Sequence, residues 1–195
     1  MGRRSDHTRD ELRALILAAA GDIIGVEGRS GLTARALAGR VGYSPGTLYN
    51  VFSDIDDVIL NLKAETLAGL ETRLAALPAG DSTEDRAEQV ALAYVAYVTE
   101  NPTRWALIFE HRLPEGRDVP DWYKAHLAAL FGLVEDVLRP AFPDPEHCSL
   151  AARTLWSSLH GICSLALSGS LALVTPTGSS DMARMLVRTF LKGAG

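Results

Sequence analysis

Apolar residues recur at helical spacing along most of this chain. In the first thirty residues, Leu12, Leu15, Ile16, Ala19 and Ile23 fall on one stripe, which is the pattern of a helix with one buried face. Similar spacing returns in segments beyond residue 52, and no segment has the turn chemistry of a β-hairpin. The pattern therefore predicts an all-α protein.

Start and stop signals divide the pattern into about nine helices. Thr8 and Glu11 have capping-box spacing at the start of the first helix, and Gly25 and Gly28 are expected to end it. The seven residues before it, MGRRSDH, are expected to form an arm with arginines at positions 3 and 4. Ser53 is expected to cap a fourth helix, with Asp56 three residues on, that runs to about Leu77. Later helices are expected at 84–100, 103–112, 121–139, 145–168 and 180–192.

Residues 33–52, TARALAGRVGYSPGTLYNVF, have the pattern of two short helices joined by a tight turn. Thr33 and Ser44 are good N-cap residues, and Pro45 suits the first position of the second helix. Gly42 can adopt a positive φ and end the first helix. These features fit a helix-turn-helix. An ordinary helical hairpin inside an all-α core is the alternative.

The outward residues of this stretch are short and polar or aromatic, so they can reach base edges and phosphates in a DNA major groove. The candidate DNA-binding residues are Thr33, Tyr43, Ser44, Pro45, Gly46, Thr47, Tyr49 and Asn50.

The same stretch resembles the DNA-binding domain of the TetR family of one-component bacterial transcription regulators. The family pattern T-x-x-x-[IL]-A-x-x-x-G-[VY]-S-x-G-T-[LI]-Y-x-[HY]-F is matched at Thr33, Leu37, Ala38, Gly42, Tyr43, Ser44, Gly46, Thr47, Leu48, Tyr49 and Phe52. The resemblance implies a homodimeric repressor that binds a palindromic double-stranded DNA operator, with Tyr49 as a phosphate contact. It also implies a lysine near the start of the fourth helix, where this chain has Ile55 among Asp54, Asp56 and Asp57.

A Pro/Gly-containing linker, LPAGDST at 77–83, is the expected domain boundary. We expect residues 1–54 to form a three-helix DNA-binding domain. Residues 55–195 are expected to form a larger helical regulatory and dimerisation domain, with residues 55–77 as its connector helix.

Charge gives only weak support for DNA binding. The 195-residue chain is 47% hydrophobic, enough for a real core, but its net charge is −5. Residues 1–52 carry a net charge of +2, a small positive footprint for a nucleic-acid binder. The acidic balance and Ile55 keep an alternative open, a helical protein-interaction module whose helix-turn-helix is vestigial.

Several features favour a cytoplasmic protein. The polar N-terminus lacks the apolar segment of a signal peptide, and two cysteines are too few for a disulfide framework. No charged residue occurs from Thr154 to Ser180, but serines and Pro176 argue against a membrane span. A helix buried on nearly all sides is the expected alternative.

The helix expected at 145–168 has three faces made of apolar or small residues. A domain of this size cannot easily bury all three against its own chain. A partner subunit is therefore expected to cover one of them. The segment LWSSLHG at 155–161 also resembles a Trp-His-Gly motif of some TetR-family C-terminal domains, in a helix where this family dimerises. The candidate interface residues are Ser157, Gly161, Ser164 and Ser168, with Met182 and Leu186 of the last helix.

Aromatic and histidine residues concentrate in the larger domain, as in an apolar pocket with a few polar anchors. We expect a small apolar or aromatic effector there, although core packing would explain each residue singly. The candidate ligand-binding residues are Trp105, Phe109, Trp122, His126, Trp156 and His160.

Catalysis and metal binding are not expected. The five histidines and two cysteines form no spaced set of three or four ligands. The sequence contains no nucleophile motif and no glycine-rich phosphate loop after a strand. We therefore predict no enzyme activity, metal or cofactor.

Overall fold

The computed structural model describes residues 7–193, and within this range the chain forms ten helices and no strand. The predicted all-α class is confirmed. Arg3 and Arg4 of the expected arm lie outside the described residues. The helices are α1 (Arg9–Gly31), α2 (Ala34–Val41), α3 (Pro45–Leu48), α4 (Ile55–Ala75), α5 (Thr83–Glu100), α6 (Pro102–Glu110), α7 (Asp121–Leu138), α8 (Pro145–Leu167), α9 (Leu171–Val174) and α10 (Ser179–Lys192).

The predicted helices are all present, and the tenth, α9, is a four-residue helix that the sequence did not signal. The predicted capping box starts α1, where Thr8 and Glu11 satisfy each other's backbone N–H groups. The predicted stop at Gly25 is wrong, because Gly25 remains helical. The break falls at Gly28, whose φ of 71° only glycine adopts readily.

The predicted cap of α4 is shifted by one residue. The Asp54 carboxylate accepts the backbone N–H of Asp57 at 2.8 Å, while the Ser53 N–H donates to the Asp57 carboxylate at 2.9 Å. Asp54 therefore caps the helix instead of Ser53, and Asp57 closes the reciprocal bond instead of Asp56. Carboxylates also suit the positive end of the helix dipole.

The chain divides into two compact units. Unit 1 contains residues 1–66 and 103–119. Its core joins α1, α2, α3, the first half of α4 and α6 through fully buried side chains such as Ile16, Leu37 and Ile59, each 0% exposed. This packing holds the helix-turn-helix on a rigid base.

Unit 2 contains residues 67–102 and 120–195. Within it α5 packs against α7, α8 and α10, and α8 packs against α7 and α10. Its buried residues include Val98 of α5, Leu138 of α7 and Ala152 of α8, each 0% exposed.

The compact units divide the chain differently from the predicted functional domains, because residues 55–66 and 103–119 pack with the helix-turn-helix. The functional boundary at residue 54 stays a prediction. None of the helices within residues 7–193 combines the length and apolar composition needed to cross a membrane.

Candidate nucleic-acid interface

The first helix of the motif, α2, is fixed at both ends by its own sequence. The Thr33 hydroxyl accepts the Ala36 N–H at 3.1 Å, which satisfies a donor that the helix leaves unpaired. At the other end Gly42 adopts φ 76°, and the Tyr43 N–H bonds the Ala38 carbonyl at 3.0 Å. This left-handed residue turns the chain sharply into α3.

The second helix, α3, begins at Pro45, two residues after Tyr43. The Ser44 hydroxyl accepts the Thr47 N–H at 3.3 Å and lies 3.0 Å from the Thr47 hydroxyl, and Pro45 occupies the first helical position. Helical geometry ends at Leu48, and residues 49–51 continue as a turn. Leu48 is 2% exposed, so it anchors α3 to the core.

We call the predicted DNA-binding residues the reading face. Tyr49 is 51% exposed, and two others, Tyr43 and Thr47, are half-buried. The other members, Thr33, Ser44, Pro45, Gly46 and Asn50, are exposed. The roles of all eight residues toward DNA stay predictions.

Tyr43 has a partner that the sequence did not reveal. Its hydroxyl lies 2.7 Å from Nδ1 of His7, and the two rings meet edge to face with centroids 6.1 Å apart. His7 directly precedes the cap of α1. The contact therefore fixes the start of α1 against the residue that leads into α3.

The acids at the start of α4 are held by basic groups from distant parts of unit 1. Arg117 Nη1 lies 2.6 Å from an Asp54 carboxylate oxygen, and His111 Nε2 lies 2.8 Å from Asp56 Oδ1. Arg29 and Arg117 each approach Asp56 at 4.0 Å. These acids therefore do not present bare negative charge beside the reading face.

Buried polar groups lie next to this network. The His111 side chain is 3% exposed, and the Lys63 ammonium donates to the His111 carbonyl at 3.3 Å. Burial lowers the pKa of Lys63, because an apolar surrounding disfavours the charged form. These contacts tie α4 to the segment that follows α6.

The candidate ligand-binding residues occur as three pairs, each spaced by four along one helix. The ring centroids are 6.0 Å apart for Trp105 and Phe109, and this pair belongs to unit 1. The other two pairs belong to unit 2. They are Trp122 with His126, at 6.3 Å, and Trp156 with His160, stacked at 5.7 Å.

The Trp156–His160 pair continues into a small aromatic group in unit 2. Phe131 of α7 meets Trp156 edge to face at 5.6 Å, and the Tyr94 hydroxyl of α5 lies 3.3 Å from His160 Nδ1. Burial lowers the pKa of His160, which favours a neutral imidazole at pH 7. Phe131 and Tyr94 belong to the aromatic concentration noted in the sequence but are not among the six candidate ligand-binding residues.

The small-residue face of α8 is solvent-exposed in the single chain. Ser157, Gly161, Ser164 and Ser168 are exposed, whereas Met182 and Leu186 of α10 are half-buried. Two apolar side chains accompany this surface, Leu165 at 43% and Met185 at 72% exposed. The opposite side of α8, with Leu155 and Leu159, is buried. The predicted interface residues therefore stay candidates.

Among residues 7–193, His, Cys, Asp and Glu side chains form no group of three or more that could hold a metal ion. The helix-turn-helix instead carries hydroxyl, amide and phenol groups on a turn that Leu48 anchors to the core. Such groups recognise phosphates and base edges.

A profile of the family described as tetracyclin repressor-like, C-terminal domain, matches residues 87–190, more than half of the chain. This chain belongs to the TetR family of transcriptional regulators. Trp156, His160 and Gly161 lie within the matched residues, and the helix-turn-helix precedes them.

A TetR-family assignment agrees with a curated relative. Over 143 residues the chain is 30% identical to the uncharacterised HTH-type transcriptional regulator Rv0681 of Mycobacterium tuberculosis. The match covers 73% of this chain and 64% of the relative. The chain thus spans less than two-thirds of the length of the curated relative it matches.

Solved structures share the TetR-family fold. A protein of unknown function from Rhodococcus sp. RHA1 has a TM-score of 0.79 at 23% identity, over 98% of both chains. Thermus thermophilus FadR, a TetR-family transcriptional repressor solved in complex with lauroyl-CoA, has a TM-score of 0.68 at 19% identity. That match covers 93% of this chain and 94% of FadR. At these identities the similarity shows the fold alone.

Proposed function

We propose that this chain is a transcriptional repressor that binds a palindromic DNA operator as a homodimer and is released by a small apolar molecule. The observation that carries the proposal is the doubly capped turn. Thr33 and Ser44 cap α2 and α3, Gly42 makes the corner, and Leu48 anchors α3. An exposed reading face on such a rigid support is what groove binding needs.

The expected roles on DNA divide by position. Tyr49, exposed after the end of α3, is proposed as a phosphate contact that positions the protein without reading sequence. Tyr43, Pro45, Gly46, Thr47 and Asn50 are proposed to choose the sequence.

The exposed face of α8 and the adjoining surface of α10 are proposed as the dimer interface. Exposed small side chains at Ser157, Gly161 and Ser164 permit two helices to approach closely, and Met185 supplies apolar area. A two-fold dimer presents two recognition helices about one DNA turn, ~34 Å, apart, so the operator should be a palindrome.

The effector is proposed to bind next to the aromatic residues of unit 2. Phe131, Trp156 and the neutral His160 favour an uncharged apolar or aromatic group over an ion. The FadR complex shows that this fold can hold an acyl-CoA in another protein. Effector binding would favour a dimer whose two reading faces no longer match the operator.

Selection of DNA from a random pool with the purified protein tests the proposal. Enrichment of a palindrome, bound with a steep salt dependence, is the expected result. Enrichment of no sequence, with weak binding that is uniform across the pool, would favour the alternative suggested by the net charge of −5, a helical protein-interaction module. The repressor is proposed to act in the cytoplasm.

A further inference from the structure

The start of α4 carries three acids within a few residues of the reading face. Asp54 follows Asn50 by four residues, at most about 14 Å along an extended chain. At low salt, where the Debye length is about 30 Å, a charge at Asp54 therefore acts on DNA phosphates held at Tyr49 or Asn50. An uncompensated negative charge at that place opposes DNA binding.

The structure shows how each acid is occupied. Asp57 accepts the Ser53 N–H and belongs to the helix cap. Asp56 lies against His111 at 2.8 Å. The Asp54 side chain is 45% exposed against 23% for Asp56, and its cationic partner is Arg117 at 2.6 Å.

Arg117 reaches Asp54 from 63 positions away in sequence. It lies in the segment between α6 and α7, and the Arg117 N–H bonds the Pro114 carbonyl at 3.1 Å in a turn that contains Gly116, with φ 81°. A local turn thus holds the guanidinium at the α4 cap. Its nearest charged partner there is the Asp54 carboxylate.

We propose that Arg117 is a positioning residue for DNA binding, which raises affinity by neutralising Asp54 beside the phosphates. Arg117 acts through Asp54 and does not itself contact DNA. This inference rests on the proposed function. It also accounts for how a TetR-family chain keeps acids near its reading face.

The size of the effect follows from Coulomb's law. A unit charge ~12 Å from each of two phosphates, in water at about 10 mM salt, changes affinity about twofold. Because a dimer places two DNA-binding domains on one operator, the two effects multiply and the affinity changes about four- to fivefold. At about 0.5 M salt screening removes it.

The test compares operator affinities of full-length variants, on the sequence selected by the wild-type protein, at low and high salt. Arg117→Ala removes the neutralising charge. Arg112→Ala is the matched control, since Arg112 is an exposed residue of the same segment for which the described part of the chain shows no ion pair. Asp54→Asn removes the acid while keeping a good N-cap, and the double variant removes both partners.

We expect Arg117→Ala to bind about four- to fivefold more weakly than wild type at low salt, and more weakly than Arg112→Ala. Asp54→Asn should bind more tightly than wild type, and the double variant should return to near wild-type affinity. Arg117→Lys should retain most of the affinity.

Two results would overturn the inference. A double variant as weak as Arg117→Ala would show that Arg117 touches DNA directly or only supports the fold. Equal losses for Arg117→Ala and Arg112→Ala would show an effect of net charge alone. If Arg117→Ala does not fold, the operator affinity of Asp54→Asn still tests the inference. An affinity no higher than that of wild type would then overturn it. A wild-type protein that selects no DNA sequence would instead refute the proposed function, and this inference with it.

Discussion

The Tyr43 hydroxyl lies 2.7 Å from His7 Nδ1, so the residue before the cap of α1 contacts the residue before the cap of α3 across 36 positions. Tyr43 is half-buried and a candidate base reader. A side chain held from two sides presents one orientation to the groove. Because Tyr43 is held by His7 whereas Tyr49 is exposed, substitutions at the two tyrosines should affect DNA binding differently.

Tyr43→Phe should change sequence choice, because the ring remains while its orienting hydrogen bond is lost. A neutral hydrogen bond contributes roughly 0.5–1.5 kcal/mol, or about two- to tenfold in affinity. Tyr49→Phe is the comparison, since loss of a phosphate contact should weaken all sequences alike. Repeating the random-pool selection with both variants measures the difference. Altered base preference in Tyr49→Phe alone would reverse the two assignments.

Gly42→Ala and Gly39→Ala should affect stability in opposite directions. Gly42 has φ 76°, a conformation that costs an L-residue about 1–2 kcal/mol. Gly39 lies inside α2 with nothing within 4 Å of an added Cβ, so alanine should stabilise by about 0.5–1 kcal/mol. Urea unfolding followed by circular dichroism measures both. A stabilised Gly42→Ala variant would show that the left-handed corner is not required.

The turn was predictable because each determinant is local. Thr33, Gly42, Ser44 and Pro45 act on neighbouring backbone groups, so residue type and spacing define α2, the corner and α3. The cap of α4 was missed by one residue for a related reason. Ser53 and Asp54 are both good caps, and the reciprocal bond to Asp57 decides between them.

The partners of the α4 acids could not be predicted from one sequence. Arg117 is 63 positions from Asp54, and His111 is 55 positions from Asp56. Only tertiary packing brings them together. Likewise, aromatic density predicted that Trp105 and Trp156 matter, but no periodicity could assign them to different compact units.

Gly161→Leu should disrupt the dimer and leave the protomer folded. In the single chain nothing lies within 4 Å of a Cβ added at Gly161. In a closely packed dimer the larger side chain would separate the helices, at a cost of about 1–3 kcal/mol. Gly25→Leu, at an equally open helical glycine of α1, is the control. Analytical ultracentrifugation at micromolar concentration should show dissociation of Gly161→Leu alone, and an intact Gly161→Leu dimer would exclude this face.

His160 should make the protein less stable in mild acid. Burial lowers its pKa in the folded state below the ordinary 6.5. The unfolded state therefore takes up the proton first, and stability present above pH 6.5 is lost as pH falls through the folded pKa. Melting temperatures from pH 8 to pH 5 should fall less steeply for His160→Gln than for wild type. An unchanged slope in His160→Gln would rule out this origin of acid sensitivity.

Trp105 and Trp122 separate core packing from effector binding, because they differ in exposure. Trp105 is 2% exposed, and Trp105→Ala should lower the free energy of unfolding by roughly 3–5 kcal/mol. Trp122 is 41% exposed and contacts His126, so Trp122→Ala should lower the free energy of unfolding far less.

If Trp122 contributes to the effector site, the Trp122→Ala variant should fold and bind the operator. It should then fail to release DNA at concentrations of an apolar compound that release wild type. Thermal melting and compound-driven release, measured on the same preparations, decide the matter. Normal release by a stable Trp122→Ala protein would exclude Trp122 from the effector site and restrict the proposed site to the Tyr94, Phe131, Trp156 and His160 group of unit 2.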